Sequence, residues 1–222
     1  MSNKQQSRPR TTYRHGNLKQ ALLDAALDLA REHGPDGIVL REATRRAGVA
    51  FSAAYRHYEG QRDLLDAVRA AALAQVARSM ETEMSALGPF DSSPEYARNS
   101  LRAIGRAYIR FALDEPGLFR TAFVIPFSLD EDTLPLVQAD MGLNPFQLLG
   151  MALDRMQAAG LLSAAQRPQA EFLAWSGVHG MAMLMLDGPL RDYPEAQLKN
   201  LSQRLLLMVE QGLQDGRDAD LG

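Results

Sequence analysis

The sequence predicts an all-α protein of about nine helices, a three-helix N-terminal domain followed by a larger helical C-terminal domain. Three observations predict it. Apolar residues recur at gaps of three and four through most of the chain. The segments with that period are bounded by helix punctuation, such as Ser93-Pro94 and Asn144-Pro145 before them and Gly48 and Gly160 after them. Finally, 46% of the 222 residues are hydrophobic, enough to bury a proper core.

Taken in order, residues 1–16 carry Lys4, Arg8, Arg10 and Arg14 with no acid, and read as a flexible basic arm. The first helix opens at Asn17, whose side chain would cap it while Gln20 completes a capping box. Leu18, Leu22, Ala25 and Leu29 form its apolar stripe, and His33, Gly34 and Pro35 stop it. A second helix is expected over Leu40 to Ala47, a tight corner at Gly48, and a third helix from Phe51 or Ser52 to Tyr58. Helix, glycine-containing turn, helix is the pattern of a helix-turn-helix, whose second helix enters the major groove of DNA.

A fourth helix from Gln61 to about Ala86 would be roughly 38 Å long at 1.5 Å per residue, enough to join the head to the body. Ser93 and Pro94 open a fifth helix with Ala97, Leu101, Ile104, Tyr108 and Phe111 on one face, and Glu115, Pro116 and Gly117 close it. A short sixth helix is expected over Leu118 to Val124, then a loop from Ile125 to Thr133. The seventh starts at Asn144-Pro145 and ends at Gly160. The eighth, from about Pro168 to Asp187, is apolar nearly all round, so it is expected to be buried on more than one side. A ninth runs from about Pro194 to Leu213, and 214–222 form a short polar tail.

Charge divides the chain. Residues 1–65 hold 11 Lys and Arg against 7 Asp and Glu, a net of +4, whereas the remainder holds 13 against 20, a net of −7. A basic head on an acidic body suits a protein that meets phosphate at one end only. The absence of cysteine excludes disulfides and thiolate metal sites. The N-terminal residues lack the apolar stretch of a signal peptide, and the apolar run Phe172 to Leu186 is broken by Ser176, Gly177, His179 and Gly180; a cytoplasmic protein without membrane contact is expected. No phosphate-binding glycine loop, nucleophile elbow or pair of metal-spaced histidines occurs, so no enzyme, metal site or cofactor is expected. A helical enzyme or interaction module would leave the basic head without a purpose.

The stretch from Tyr13 to Ala67, with HGNL, AALDLAREHG, RRAGV, YRHY and a following DLL, resembles the DNA-binding domain of TetR-family transcriptional regulators. FALDEPGLFR and AWSGVHG resemble the ligand-binding half of the subgroup whose C-terminal domain is named for its Trp-His-Gly signature. The resemblance implies a domain division at 17–62 and 63–213. It also implies a homodimer on a double-stranded, pseudo-palindromic operator, and repression relieved by a small-molecule effector; a regulator without an effector, or an activator, is the nearest alternative.

On this resemblance Tyr55 and His57 would contact phosphate; Arg14 and His15, the part of the basic arm nearest the first helix, are expected to touch DNA at phosphate or in the minor groove. Phe51, Ser52 and Ala53 would face the bases, with help from Arg45 or Arg46; Phe and Ala suit thymine methyls rather than donor patterns. Two positions depart from the family. Ala50 stands where a capping serine is usual, at a cost of about 1 kcal/mol unless Ser52 substitutes. Gln61 stands where a phosphate-binding lysine is usual, which leaves that task to Arg62. Tyr58 is expected to pack inward.

An effector pocket is expected between the fifth, seventh and eighth helices, walled by Tyr108, Phe111, Phe146, Trp175 and His179, with Ser176 and Met183 beside them. His179 otherwise reads as a core histidine bonded to a backbone carbonyl or to Tyr108. The dimer interface is expected on the last two helices, at Gly177, Met181, Leu198, Leu201, Leu205 and Met208.

Overall fold

The computed structural model describes residues 18–123 and 140–214, which form nine α-helices and, among the described residues, no strand. The basic arm expected over 1–16, the loop over 125–133 and all but the first residue of the tail lie outside them.

The head comprises α1 (Leu18–His33), a 3-10 turn at Pro35–Gly37, α2 (Leu40–Ala47) and α3 (Phe51–Ala54). Leu22, Ala26, Leu29 and Ala30 of α1 are buried against Leu40 and Ala43 of α2, Ala54 and Tyr58. The proposed cap Asn17 lies outside the described residues, and the Gln20 amide donates instead to Asp24 at 2.8 Å. Gly48 ends α2 at φ 67° and ψ 30°, a left-handed conformation that glycine enters without a Cβ penalty.

The third helix is shorter than its sequence predicts, ending at Ala54 rather than Tyr58. Beyond it the Arg56 and His57 amides donate to carbonyls three residues back, on Ala53 and Ala54, so the backbone tightens into turns. That tightening carries Tyr58 inward to 1% exposure, where its hydroxyl donates to the Lys19 carbonyl at 3.3 Å. Ala50 stands at the helix start with no side-chain cap, and Ser52, already inside the helix, does not replace one.

The 25 residues of α4 (Gln61–Ser85) pack against α1 of the head and against α5, α6 and α7 of the body. The expected division near residue 62 therefore falls at the start of a continuous helix shared by both. In the body, α5 (Pro94–Asp114) is the central rod, touching α4, α6, α7, α8 and α9. Its Ser93 cap accepts from the Tyr96 amide at 3.1 Å. α6 (Pro116–Phe123) starts two residues earlier than expected, because Pro116 and Gly117 open this helix instead of only closing α5; proline is pre-organised for a first turn. α7 (Pro145–Ala158) has a reciprocal capping box between Asn144 and Gln147.

α8 (Ala170–Leu186) and α9 (Glu195–Gln214) lie side by side. Glycines set how closely α9 approaches: a Cβ on Gly105 would stand 2.3 Å from Leu206, and one on Gly177 would stand 2.9 Å from Val209. α8 is not covered all round. Ala174, Val178, Ala182 and Met185 form its buried stripe, while Leu173 and Leu184 are 65% and 43% exposed.

Candidate nucleic-acid interface and effector cavity

In the head, both arginines expected to help read bases are already engaged. The Arg45 guanidinium donates to both oxygens of Glu42 at 2.8 and 2.6 Å, and Arg46 donates to both oxygens of Glu32 at 2.7 and 2.6 Å. Arg46 lowers the pKa of the Glu32 carboxyl, as Arg45 does for Glu42. Two-pronged pairing fixes orientation, so Arg46 straps α2 to α1.

Phe51, Ser52 and Tyr55 are exposed, and Ala53 and His57 half-buried. The rings of Phe51 and Tyr55 meet edge to face, centroids 5.2 Å apart. Arg62 is exposed and paired with Asp66 at 3.2 Å. Arg14 and His15 lie outside the described residues. Sequence reasoning passed over Arg41 and Arg56, which are exposed and, among the described residues, belong to none of the ion pairs of the head. A signal for the first was legible, since no acid stands three or four residues from Arg41 whereas Glu42 stands three from Arg45 and four from Arg46.

In the body, the Trp175 indole N–H donates to the Tyr108 hydroxyl at 2.9 Å, and that hydroxyl lies 2.8 Å from Nδ1 of His179. Indole is a donor only, so the Tyr108 oxygen accepts from Trp175, which leaves its own proton available to Nδ1 of a neutral His179. Burial acts in the same direction, lowering the imidazole pKa and raising that of the Tyr108 hydroxyl. Phe119 stacks on His179 at 5.8 Å, and Phe123 meets it at 5.4 Å.

An interior cavity of about 60 Å³ lies behind this cluster, between α4, α5, α7, α8 and α9. Tyr108, Phe146 and Trp175 line it, as expected positions, together with Leu101, Ile104 and Val178. Its polar neighbours are already satisfied: Asn144 caps α7, and Arg102 is bound to the buried carboxylate of Glu210, which Arg98 also approaches at 3.5 Å. A more open hollow of about 390 Å³ adjoins it, lined by Phe123, Phe172, Trp175, Ser176 and His179. Trp175 and Phe123 wall both spaces.

Phe111 and Met183 line neither space; Phe111 is buried, and Met183 is 37% exposed. Of the positions expected at a dimer interface, Met208 is 63% exposed, while Met181, Leu198, Leu201 and Leu205 are half-buried. Gly177 faces Val209 and Leu205 of its own chain, so its small size serves the α8 to α9 crossing.

α6 joins this cluster to the head. Phe119 in its middle and Phe123 at its far end meet the cluster, and a Cβ on Gly117 at its near end would stand 2.1 Å from the Ala30 carbonyl oxygen of α1. Arg31 of α1 also donates to Glu115 at 3.3 Å. A second joint is made by Glu81 of α4, 6% exposed, which accepts from the amides of Asp140 and Met141 just ahead of α7. No helix among the described residues is long and apolar enough to cross a membrane.

Comparison with known proteins agrees with this architecture. Residues 22–68 match the model of bacterial regulatory proteins of the tetR family, and residues 101–209 match that of the tetracyclin repressor-like C-terminal domain. The class D tetracycline repressor of Escherichia coli is 31% identical over 93 residues, 42% of this chain and 40% of that protein. The class A repressor from transposon 1721 of Escherichia coli is 44% identical over 54 residues, 24% of this chain and 25% of that protein. The matched stretches thus span less than half the length of these relatives.

Among solved structures, a Rhodococcus sp. RHA1 protein of unknown function superposes with a TM-score of 0.71 at 24% identity, over 92% of this chain and all of the other. A TetR variant of Acinetobacter baumannii AYE in complex with minocycline gives 0.59 at 19% identity, over 87% and 94%. The regulator FadR of Bacillus subtilis in complex with stearoyl-CoA gives 0.62 at 15%, over 87% and 98%. With both halves matched by models of one family, and the fold shared along most of its length, the chain belongs to the TetR family of bacterial transcription regulators.

Proposed function

We propose that this protein is a transcriptional repressor that acts in the cytoplasm as a two-fold dimer and is released from a pseudo-palindromic operator by a small apolar or aromatic ligand. The observation that carries this reading is the continuity of α6, which touches the Tyr108–His179 cluster with Phe119 and Phe123 and the end of α1 with Gly117. A ligand shifts DNA affinity only if it favours one arrangement of the head over another, so its site must be mechanically joined to the head.

The cavity's chemistry supports the ligand class. Its lining is apolar and aromatic, and the charges at its edge are neutralised by each other. The inner volume of about 60 Å³ is far below the ~300 Å³ or more of a typical ligand site, whereas the adjoining hollow holds about 390 Å³, so a ligand seated in the hollow would reach the inner cavity by displacing Trp175 or Phe123. That displacement is the mechanical event by which binding would reach α6. The fold also hosts ligands as different as minocycline and stearoyl-CoA in two other proteins.

The exposed Leu173 and Leu184 of α8 and Met208 of α9 support a two-fold contact through these two helices, where a partner would cover large apolar side chains. The test of DNA binding is selection of duplexes from a random pool, followed by a salt titration. Every phosphate that the protein neutralises adds about 0.9 to the slope of log affinity against log salt, so Arg41→Ala and Arg56→Ala should each flatten that slope by about 0.9 per chain. Failure to enrich any sequence would refute the reading.

A further inference from the structure

We propose that Phe51 determines operator specificity by reading thymine through its C5-methyl group in the major groove, an inference that rests on the DNA-binding reading above. Four consecutive residues, Phe51-Ser52-Ala53-Ala54, make up the whole of α3. None has the two-pronged donor and acceptor sets that identify bases by hydrogen bonding, which are arginine or lysine for guanine and asparagine or glutamine for adenine. Ser52 offers one hydroxyl, which either kind of base pair accepts.

The α2 arginines expected to help read bases do not supply the missing prongs, and Arg56, exposed just beyond α3, is the one assigned above to phosphate. Both oxygens of Glu42 hold Arg45, and both oxygens of Glu32 hold Arg46. Guanine would have to break an ion pair to be read by either. What α3 does present is carbon. Phe51 is 44% exposed, and it shares the surface with the neighbouring ring of Tyr55, 52% exposed, while Tyr58 is turned inside. The edge-to-face contact with Tyr55 at 5.2 Å fixes where it points.

The one apolar group that the major groove offers is the thymine methyl. A phenyl ring over that methyl removes both from water and gains nothing from cytosine, which lacks it. The stabilisation expected for one buried methyl corresponds to about a fourfold change in affinity in each half-site.

The experiment uses the full-length protein and duplexes selected from a random pool. Each thymidine of the enriched sequence is replaced singly by deoxyuridine, which keeps the Watson–Crick pair and deletes the methyl. The expected result is a loss of about fourfold at one position per half-site, absent when Phe51→Ala is tested against the same duplexes and retained in Phe51→Leu. Uracil tolerated at every position, or a penalty that Phe51→Ala leaves unchanged, would overturn the assignment while the DNA-binding reading stands. Failure to enrich any duplex would overturn both. Phe51 lies on the surface, so its replacement leaves the core intact, and the uracil series on the unaltered protein can overturn the assignment even if a variant misfolds.

Discussion

The Tyr108 hydroxyl ties His179 to Trp175: it lies 2.8 Å from Nδ1 and accepts from the indole N–H at 2.9 Å. Three side chains from two helices are locked into one chain of hydrogen bonds, and this fixes the wall that Trp175 forms between the inner cavity and the outer hollow.

That arrangement predicts a pH dependence of stability. The folded-state pKa of His179 is lowered by burial from the usual 6.5, so on acidification the unfolded chain takes up the proton first. The stabilisation is complete above the unfolded value and is lost as pH falls through the folded one. Thermal midpoints measured from pH 8 to pH 5 should fall more steeply for the natural protein than for His179→Gln. Parallel curves would contradict a neutral buried imidazole.

Removing the central hydroxyl should be costly. Tyr108→Phe leaves the ring in place but strands the indole N–H and Nδ1 of His179, each at about 1–3 kcal/mol if water cannot replace the partner. Urea denaturation should show a loss of about 2–6 kcal/mol. A loss below about 0.5 kcal/mol would mean that the three groups are solvated, and the triad of no consequence.

At the joint between head and body, Gly117→Ala places a methyl 2.1 Å from the Ala30 carbonyl oxygen and 2.6 Å from that of Arg31. Both neighbours are backbone and cannot rotate away, so α6 must move off α1. We expect about 1–3 kcal/mol of destabilisation, and weaker coupling between effector and operator in the protein that remains folded. Unaltered stability would show that α6 can part from α1 without cost.

Dimer formation is tested by charge on the open face of α8 and α9. The natural protein should sediment at micromolar concentration as roughly twice 24.5 kDa. Leu173→Glu with Met208→Glu should sediment as a monomer, because these side chains are 65% and 63% exposed and removing them opens no cavity. Leu205 is a poorer probe, since it also approaches Gly177 within its own chain. A double variant that stays dimeric would move the contact elsewhere.

Most of the fold was legible because helix punctuation is local. Gly48, Ser93-Pro94 and Asn144-Pro145 mark the ends of α2, α5 and α7 by conformations that nearby residues alone decide. The site was legible in part. Tyr108, Trp175 and His179 converge as their helical spacing allowed, yet Phe111, on the same stripe of α5 as Tyr108, points into the core and lines neither space. Spacing fixes a face of a helix but not which neighbour covers each turn of it. Glu32 and Arg46 stand 14 positions apart, and Glu81 stands 60 from Met141, so neither contact leaves a periodic trace. The same holds for Gly117, whose backbone partner is α1.

One site is expected to change Trp175 and the hold on DNA together. Trp175 is the only tryptophan, so its emission reports the wall between the two spaces directly. Apolar and aromatic compounds should be titrated into the complex of the protein with its selected operator, following Trp175 emission and operator release in the same samples. The expected result is a compound that shifts the emission and lowers operator affinity by about tenfold or more, with one midpoint for both signals. A compound that fills the site and shifts Trp175 emission while operator affinity stays constant would contradict it.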